Sequence, residues 1–307
     1  MTIDDGTLAR MLGLPADAVV EREPLTGPAD GVELAIVGAP GEAESRCALV
    51  RRVAGEEAEN HVAVLEALGR TGFAHSPRVL GIAGGHAVEE WVAGVSALAL
   101  APPAGSLEAA MDVLAALHAL NIREGLRWEL DAAGLLPGAE FPLHRLGFAA
   151  HEREPAREPL AGTREALLAS PAGFVHGAAT ADHVLLRPGG AALISFHAAG
   201  LGLQLFDVAA FLLTSGVEAG ARRELSMRYA AARGLPANET ADLADLAALW
   251  WGLHELLVLP RRQVMALGDE NATYRLNTAA NRIEGGIRRG AGSHPLAAAI
   301  RGALWPS

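Results

Sequence analysis

The residue types that suit chemistry are concentrated between residues 175 and 197. The segment VHGAATADHVLL contains His176, Asp182 and His183, and ISFH follows with Ser195 and His197. Histidine titrates near neutral pH and suits acid–base chemistry, and histidine with aspartate can also bind zinc. The spacings match no established metal motif. We therefore expect hydrogen-bonded or solvated histidines and no bound metal, with acid–base use of Asp182, His183 or His197 as the alternative.

Composition and charge narrow the possible partners and locations. The chain has 307 residues, 50% of them apolar, and its 36 acidic and 25 basic residues give a formal charge of −11. Nucleic acids and anionic membranes require clustered positive charge, so we expect neither as a partner. The single cysteine, Cys47, excludes an intramolecular disulfide and a cysteine-based zinc cluster. A polar N-terminus and the lack of an apolar run of about 18 residues favour a cytoplasmic location.

The elements that must position the chemical residues predict two lobes. Two strand-like runs, at 32–37 and 47–53, form a hairpin; a helix with apolar residues at helical spacing follows, and then two more strand-like runs. Beyond residue 94 helical patterns dominate, at 107–120, 205–214, 219–233, 240–259 and 271–289. We expect an α+β fold with a small antiparallel-sheet lobe carrying one helix (residues 1–93) and a larger, mainly helical lobe (residues 94–307).

This order of elements resembles the aminoglycoside-phosphotransferase-like branch of the protein-kinase-like fold, over residues 20–290. LTGPADG (25–31) is similar to the glycine-rich opening loop, ALVRRV (48–53) to the strand of the phosphate-contacting lysine, and ENHVAVLEAL (59–68) to the helix carrying its glutamate partner. VEEWVAGV (88–95) resembles the hinge. LAALHAL (114–120), HGAATADHVLL, ISF and LFDVAAFLL resemble successive parts of the second lobe, including the catalytic loop. The resemblance implies a two-lobe protein-kinase-like fold and, in active members, ATP-dependent phosphoryl transfer.

The family's loop pattern, H-G-D-x-x-x-x-N, is only partly kept. His176 matches, and Gly177 follows it, but the aspartate position is Ala178 and the asparagine position is His183. The second metal-binding aspartate of the family is replaced by Ser195. Alanine cannot accept a proton, and magnesium prefers carboxylate ligands to a serine hydroxyl. The loop segment 175–197 therefore resembles a catalytic loop that has lost its catalytic and metal-binding groups.

Other positions outside the loop can also be compared with the family's pattern. Asp207 matches an acidic residue that braces the loop in the family, and Arg51, with Arg52 in the neighbouring register, takes the lysine position. Arg51 can bind an anion or pair with Glu57 or Glu59 on the helix. Five residues are the candidates for contact with a nucleotide: Arg51, Glu59, His61, Glu90 and Val92.

One helix of the second lobe carries further candidates. Trp250, Trp251, His254 and Glu255 lie where the resemblance implies an acceptor pocket. His254 and Glu255 can contact a ligand, whereas core packing is the favoured interpretation of the two tryptophans. His118 is interpreted as a hydrogen-bonded helix histidine.

These observations predict a pseudokinase, a phosphotransferase-like protein without phosphotransfer. We expect a non-catalytic module, ligand-binding or regulatory, that binds a small molecule, peptide or protein in the inter-lobe cleft. We expect no cofactor, and we expect no tight binding of Mg-ATP. One alternative is an enzyme of bacterial secondary metabolism that uses histidines in the old kinase cleft. A second is a residual small-molecule O-phosphotransferase with Asp182 in place of the lost aspartate.

Overall fold

The structure is a computed structural model that describes residues 3–25, 32–38, 45–98, 105–123, 126, 141–188, 190–266 and 269–306. Within these ranges the chain divides into two compact units. The first contains the described residues up to Ala93, Leu126 and residues 193–199, and the second contains the rest. Ser195 and His197, which the sequence analysis placed with the second lobe, pack with the first unit. The expected glycine-rich loop lies outside the described residues, except for Leu25.

An antiparallel five-stranded sheet forms the first unit, in the order β1–β2–β3–β5–β4. The strands are β1 (Val19–Pro24), β2 (Val32–Gly38), β3 (Ser45–Arg52), β4 (Val79–Ala83) and β5 (His86–Glu90). Apolar residues alternate along the central strands, so that Ala35 and Val37 of β2 and Ala48 and Val50 of β3 share one buried face. The predicted hairpin and the two later strands are therefore present.

Two elements precede the predicted hairpin, and the sequence analysis missed both. α1 (Asp5–Met11) begins after Asp4, whose Oδ1 accepts the Thr7 N–H at 2.9 Å, and it buries Leu8 and Ala9 against the sheet. β1 then pairs with β2 along its whole length. The described part of the first unit consequently has two α-helices, where one was predicted.

The predicted helix of the first unit is α2 (Glu56–Thr71). Its first turn carries three glutamates, which the positive end of the helix dipole favours, and it ends at Gly72 in the left-handed conformation. The buried Asn60 donates from Nδ2 to the carbonyl oxygens of His197 (3.1 Å) and Ala199 (3.0 Å). These two bonds fix α2 to the segment 193–199 within the same unit.

The second unit is mainly helical, as predicted. Among the described residues its α-helices are α3 (Ser106–His118), α4 (Ala150–Leu168), α5 (Gln204–Thr214), α6 (Ala219–Arg233), α7 (Ala237–Met265), α8 (Glu270–Arg289) and α9 (Pro295–Leu304). Neither α4 nor α9 was among the predicted helices. Its short strands are β6 (Val95–Ser96), β7 (Ala172–Val175), β8 (Val184–Arg187), β9 (Gly190–Leu193) and β10 (Gly200–Leu203). They pair as β6–β8–β9 and β7–β10.

One helix among the described residues, α7, is long and apolar enough to cross a membrane. Most of its apolar stretch is buried inside the unit, where α5, α6 and α8 pack against it. A helix that is apolar on most of its circumference is expected at the centre of a helical unit. Its position in the core therefore accounts for its composition.

Candidate functional site

The segment that resembles the catalytic loop connects β7 to β8 and is held by Asp207. The backbone N–H groups of His176 and Gly177 donate to Asp207 Oδ2 (2.6 Å) and Oδ1 (3.0 Å). Gly177 has a φ of +76°, a conformation that residues with a side chain rarely adopt. Asp207 thus fixes the start of the loop through both of its carboxylate oxygens.

The carboxylate of Asp207 is itself part of a buried chain of hydrogen bonds. His118 Nε2 lies 3.0 Å from Asp207 Oδ2, and His118 Nδ1 lies 2.8 Å from the hydroxyl of Tyr229. Asp207 is 3% exposed. Burial by itself raises the pKa of Asp207, but His118, His176 and the backbone donors outweigh it, and the pKa lies below its ordinary value. His118 is therefore a hydrogen-bonded helix histidine, as predicted, whereas Tyr229 was missed.

His183, at the family's asparagine position, turns back onto the loop. Its Nδ1 lies 2.7 Å from the carbonyl oxygen of Ala178 and 3.3 Å from Thr180 Oγ1. A carbonyl oxygen only accepts, so Nδ1 carries the proton in this contact. The ring also stacks on that of His176, with centroids 6.0 Å apart. His183, at the asparagine position, therefore forms a hydrogen bond with Ala178, at the aspartate position.

Asp182, the candidate substitute for the lost aspartate, is half-buried in a 3-10 turn, Ala181–His183. Burial lowers the pKa of Arg282, in α8, and the charge of Asp182 opposes this effect. The carboxylate is therefore close enough to Arg282 to act on its charge.

Ser195, at the second metal position, keeps an unusual backbone. With φ 64° and ψ 56° it is the only non-glycine residue with positive φ in the described part of the chain. Aspartate and asparagine tolerate this left-handed conformation better than serine does. His197 follows in a 3-10 turn, and its carbonyl oxygen accepts the Asn60 bond. The position thus has a backbone that suits aspartate but carries no carboxylate.

In the first unit a buried carboxylate joins two of the nucleotide candidates. Glu89 Oε1 lies 2.8 Å from Arg51 Nε and 3.1 Å from His61 Nε2, although the histidine contact lacks hydrogen-bond geometry. Glu89 is 1% exposed. Burial by itself raises the pKa of Glu89, but His61 and Arg51 outweigh it, and the pKa lies below its ordinary value.

Glu89 was missed because the sequence analysis sought the partner of Arg51 on the helix. In the sheet, Leu49 pairs with Glu89 and Arg51 pairs with Ala87, so Arg51 and Glu89 are diagonal neighbours on one face. The available signal was the alternation of β5, which places Glu89 on the same face as Ala87. The partner of Arg51 therefore comes from β5.

The other nucleotide candidates are more exposed than the buried Glu89 and His61. Glu59 is half-buried in the first turn of α2, and Val92 is half-buried just after β5. Glu90 is more exposed than its neighbour and pairs with Arg78 at 3.0 Å. Its carboxylate is therefore occupied by a surface ion pair.

The residues at the metal positions do not fit magnesium. His183 is bound to the loop through Nδ1, and Ser195 has a neutral hydroxyl, whereas magnesium prefers carboxylate oxygens. No group of three or more His, Cys, Asp or Glu side chains that could hold a metal ion occurs in the described ranges. No metal-dependent step is therefore assigned to this chain.

A pocket of about 220 Å³ lies inside the second unit, beside Gly177 and Asp207. Its apolar wall consists of Val175, Leu203, Phe206, Ala210, Trp250 and Trp251. At its polar end Glu255 Oε2 pairs with Arg262 NH1 at 2.6 Å, and His254 lies beside them. Trp250 is 2% exposed, so it is a core residue as predicted, whereas Trp251 is half-buried. We call this site the second-unit pocket.

The fold is similar to those of several solved kinases. A choline/ethanolamine kinase family protein from Mesorhizobium loti aligns over 97% of this chain and 98% of its own, with TM-score 0.54 and 19% identity. Choline kinase LicA from Streptococcus pneumoniae covers 91% and 97%, with TM-score 0.58 and 14% identity. Macrolide 2'-phosphotransferase MphH from Brachybacterium faecium covers 98% and 97%, with TM-score 0.57 and 16% identity. At these identities the likeness shows the fold.

Sequence comparison identifies the family directly. No curated protein matches the sequence at a significant level. The family model described as "Phosphotransferase enzyme family" matches residues 39–252, which is more than half of the chain and includes β3, α2, the loop and the first half of α7. The chain therefore belongs to the phosphotransferase enzyme family.

Proposed function

We propose that this chain is a catalytically inactive member of its family that acts as a ligand-binding or regulatory module. The observation that carries the proposal is the contact between His183 Nδ1 and the carbonyl oxygen of Ala178, at 2.7 Å. It joins the positions of the family's catalytic aspartate and metal-binding asparagine, and it replaces their chemistry with a bond internal to the loop.

Loss of phosphoryl transfer follows from what these groups supply. A positioned general base typically contributes about 10²–10⁴ in rate, and Ala178 has no group that accepts a proton. Phosphoryl transfer also depends on metal ions that neutralise the phosphates. His183 and Ser195 offer no carboxylate for this purpose. In contrast, the scaffold that shapes the loop is intact, from His176 to Asp207.

The second-unit pocket supports binding of a small organic molecule. An aromatic wall at Trp251 and Phe206 suits a flat or apolar group, and the Glu255–Arg262 pair suits a polar or zwitterionic end. At about 220 Å³ it is smaller than typical ligand sites of roughly 300–1,000 Å³. The structural neighbours are named for transfer to choline, ethanolamine or a macrolide, which by analogy favours a small-molecule ligand here.

Two measurements test the proposal. ATP consumption with Mg²⁺ or Mn²⁺ and small hydroxyl compounds is expected to stay at the level without protein, because the base and metal ligands are absent. A thermal-shift screen of small amines, alcohols and zwitterions is expected to give hits that stabilise the wild type but not Trp251→Ala. The matched control is Trp91→Ala, which removes an exposed tryptophan of the first unit. ATP turnover above background would refute the inactive assignment.

The two enzymatic alternatives stay predictions with their own tests. If the chain is an enzyme that uses His183 as an acid or base, His183→Ala should abolish turnover of its substrate once that substrate is identified. Residual phosphotransfer requires that Asp182→Asn abolish ATP consumption. A ligand in the inter-lobe cleft and a cytoplasmic location also stay predictions.

A further inference from the structure

A second cavity in the second unit is lined by arginines. It has a volume of about 180 Å³ and lies where the end of α5 and the start of α6 meet α8. Three arginines contribute to its wall: Arg222, Arg282 and Arg289. The first comes from α6 and the other two from α8, so the charges approach the cavity from two helices.

The hydrogen bonds of these arginines go to neutral groups. Arg222 NH2 donates to the carbonyl oxygen of Gly286 at 3.0 Å, and Arg282 NH1 donates to the carbonyl oxygen of Thr214 at 2.9 Å. Arg222 is 4% exposed, and its Nε is buried without a hydrogen-bond partner in the described part of the chain. No carboxylate among the described residues forms an ion pair with Arg222, Arg282 or Arg289.

The buried carboxylate whose charge acts most strongly on Arg222 is already paired. Asp245 acts on Arg222 through its charge, but its two oxygens accept from Arg301 at 2.6 and 2.8 Å. Burial lowers the pKa of Arg222, and the positive charges of Arg301 and Arg289 add to this effect. Glu218, at the start of α6, opposes it without pairing. Arg222 is therefore a buried cation that forms no ion pair among the described residues.

Two glycines allow the guanidinium groups to approach the backbone. A Cβ at Gly286 would lie 2.5 Å from Leu213 Cδ2 and 2.6 Å from Arg222 NH1, and a Cβ at Gly216 would lie 2.8 Å from Arg282 Nε. Real Cβ atoms do not come this close to a neighbouring atom, so a side chain at either position would force an arginine to shift, and at Gly286 Leu213 as well. The cavity is thus built around these arginines, because the backbone leaves them room.

We propose that this cavity is an oxyanion site that binds a phosphate group, either as inorganic phosphate or as the phosphoryl end of a small metabolite. Guanidinium groups bind phosphate oxygens through short, charge-assisted hydrogen bonds. A tetrahedral anion presents oxygens in several directions, which matches donors from two helices better than a planar carboxylate does. The small volume admits a phosphate group and excludes most of a larger ligand.

The test is isothermal titration of the full chain with sodium phosphate, against sodium chloride and sodium acetate at equal ionic strength. The variants are Arg289→Gln and Arg282→Gln. The matched control is Arg288→Gln, which removes an adjacent arginine that pairs with Glu284 on the surface instead of lining the cavity. We expect phosphate to bind the wild type and the control equally, and each cavity variant to bind at least about tenfold more weakly.

Each alternative result overturns the assignment. Equal phosphate affinity in Arg289→Gln and Arg288→Gln would mean that phosphate binds elsewhere, and no binding to the folded wild type would mean that the site does not exist. Acetate binding as tight as phosphate binding would replace the phosphate site by a general anion site. Circular dichroism of the variants establishes that each is folded. None of these outcomes depends on whether the chain is catalytically inactive.

Discussion

The Nδ1 atom of His183 lies 2.7 Å from the carbonyl oxygen of Ala178, so the two residues that replace the family's catalytic groups bind each other. The loop that carries them is still held by Asp207 through the backbone N–H groups of His176 and Gly177. The hydrogen bonds that hold the loop are therefore present, although Ala178 and His183 differ from the family's pattern.

Asp207, which holds the start of the loop, is expected to contribute strongly to the free energy of unfolding. Asp207→Asn replaces one carboxylate oxygen with an NH₂ group, which cannot accept a hydrogen bond from the backbone, and it removes the negative charge beside His118. We expect a loss of about 3–5 kcal/mol in the free energy of unfolding, as for other broken buried pairs. Urea denaturation measures it. Asp112→Asn, which removes an exposed pair with Arg228, is the control and should change little. Equal effects of the two variants would contradict a bracing role.

The buried pair in the first unit predicts a pH-dependent stability. The pKa of Glu89 lies below its ordinary value in the folded chain, so its contribution is present above the unfolded pKa of about 4.3 and is lost as pH falls through the folded pKa. Glu89→Gln should cost about 2–3 kcal/mol at pH 7, because it leaves Arg51 partly buried without a carboxylate. The difference from the wild type should shrink towards pH 3.

Chemical denaturation at pH 7, 5, 4 and 3 measures this difference. The neighbouring Glu90→Gln removes the surface pair with Arg78 and serves as the control, with a small effect at every pH. A Glu89→Gln penalty that stays constant from pH 7 to pH 3 would show that the Glu89 carboxylate does not carry the stabilisation.

The backbone at Ser195 predicts a stabilising substitution. Its φ of 64° is unfavourable for serine and is tolerated by asparagine. We expect Ser195→Asn to raise the free energy of unfolding by about 0.5–1 kcal/mol. Ser215→Asn, at a helix end with φ −71°, is the control and should not stabilise. A destabilised Ser195→Asn variant, measured by urea denaturation, would mean that the serine side chain makes a required contact.

Most long elements could be predicted because each contains its own signal. The apolar spacing of α6 predicted Ala219–Arg233 to the residue, and the apolar alternation of β2 and β3 predicted their hairpin. α1 has seven residues, which is too short for helical periodicity, and it depends on its cap and on the sheet beneath it. The 19-residue α4, which contains Pro155 and Pro159, was also not predicted as a helix. The elements missed were therefore short or interrupted by proline.

The candidate site was predictable where the loop pattern fixes positions and unpredictable where strand pairing does. The replacements at Ala178 and His183 are visible in the sequence, but the turn of the His183 ring onto the loop depends on side-chain rotamers. The pairing of Arg51 with Glu89 depends on the register of β3 and β5, which no local pattern encodes. The pairing of strands distant in sequence thus determines that Arg51 contacts Glu89.

The most direct test of the central claim is a thermal-unfolding titration of the wild-type protein with ATP, once in excess Mg²⁺ and once in EDTA. A ligand that binds only the folded state stabilises it by about 2.7 kcal/mol at 100 times its Kd, which raises Tm measurably. The Ala178→Asp/His183→Asn/Ser195→Asp variant restores the family's groups and is the comparison. An equal shift in Mg²⁺ and EDTA would report metal-independent anion binding.

For the wild type we expect no Tm difference between Mg²⁺ and EDTA, because the positions of the metal ligands hold His183 and Ser195. A Tm that rises with ATP only when Mg²⁺ is present would contradict the loss of the metal–nucleotide site.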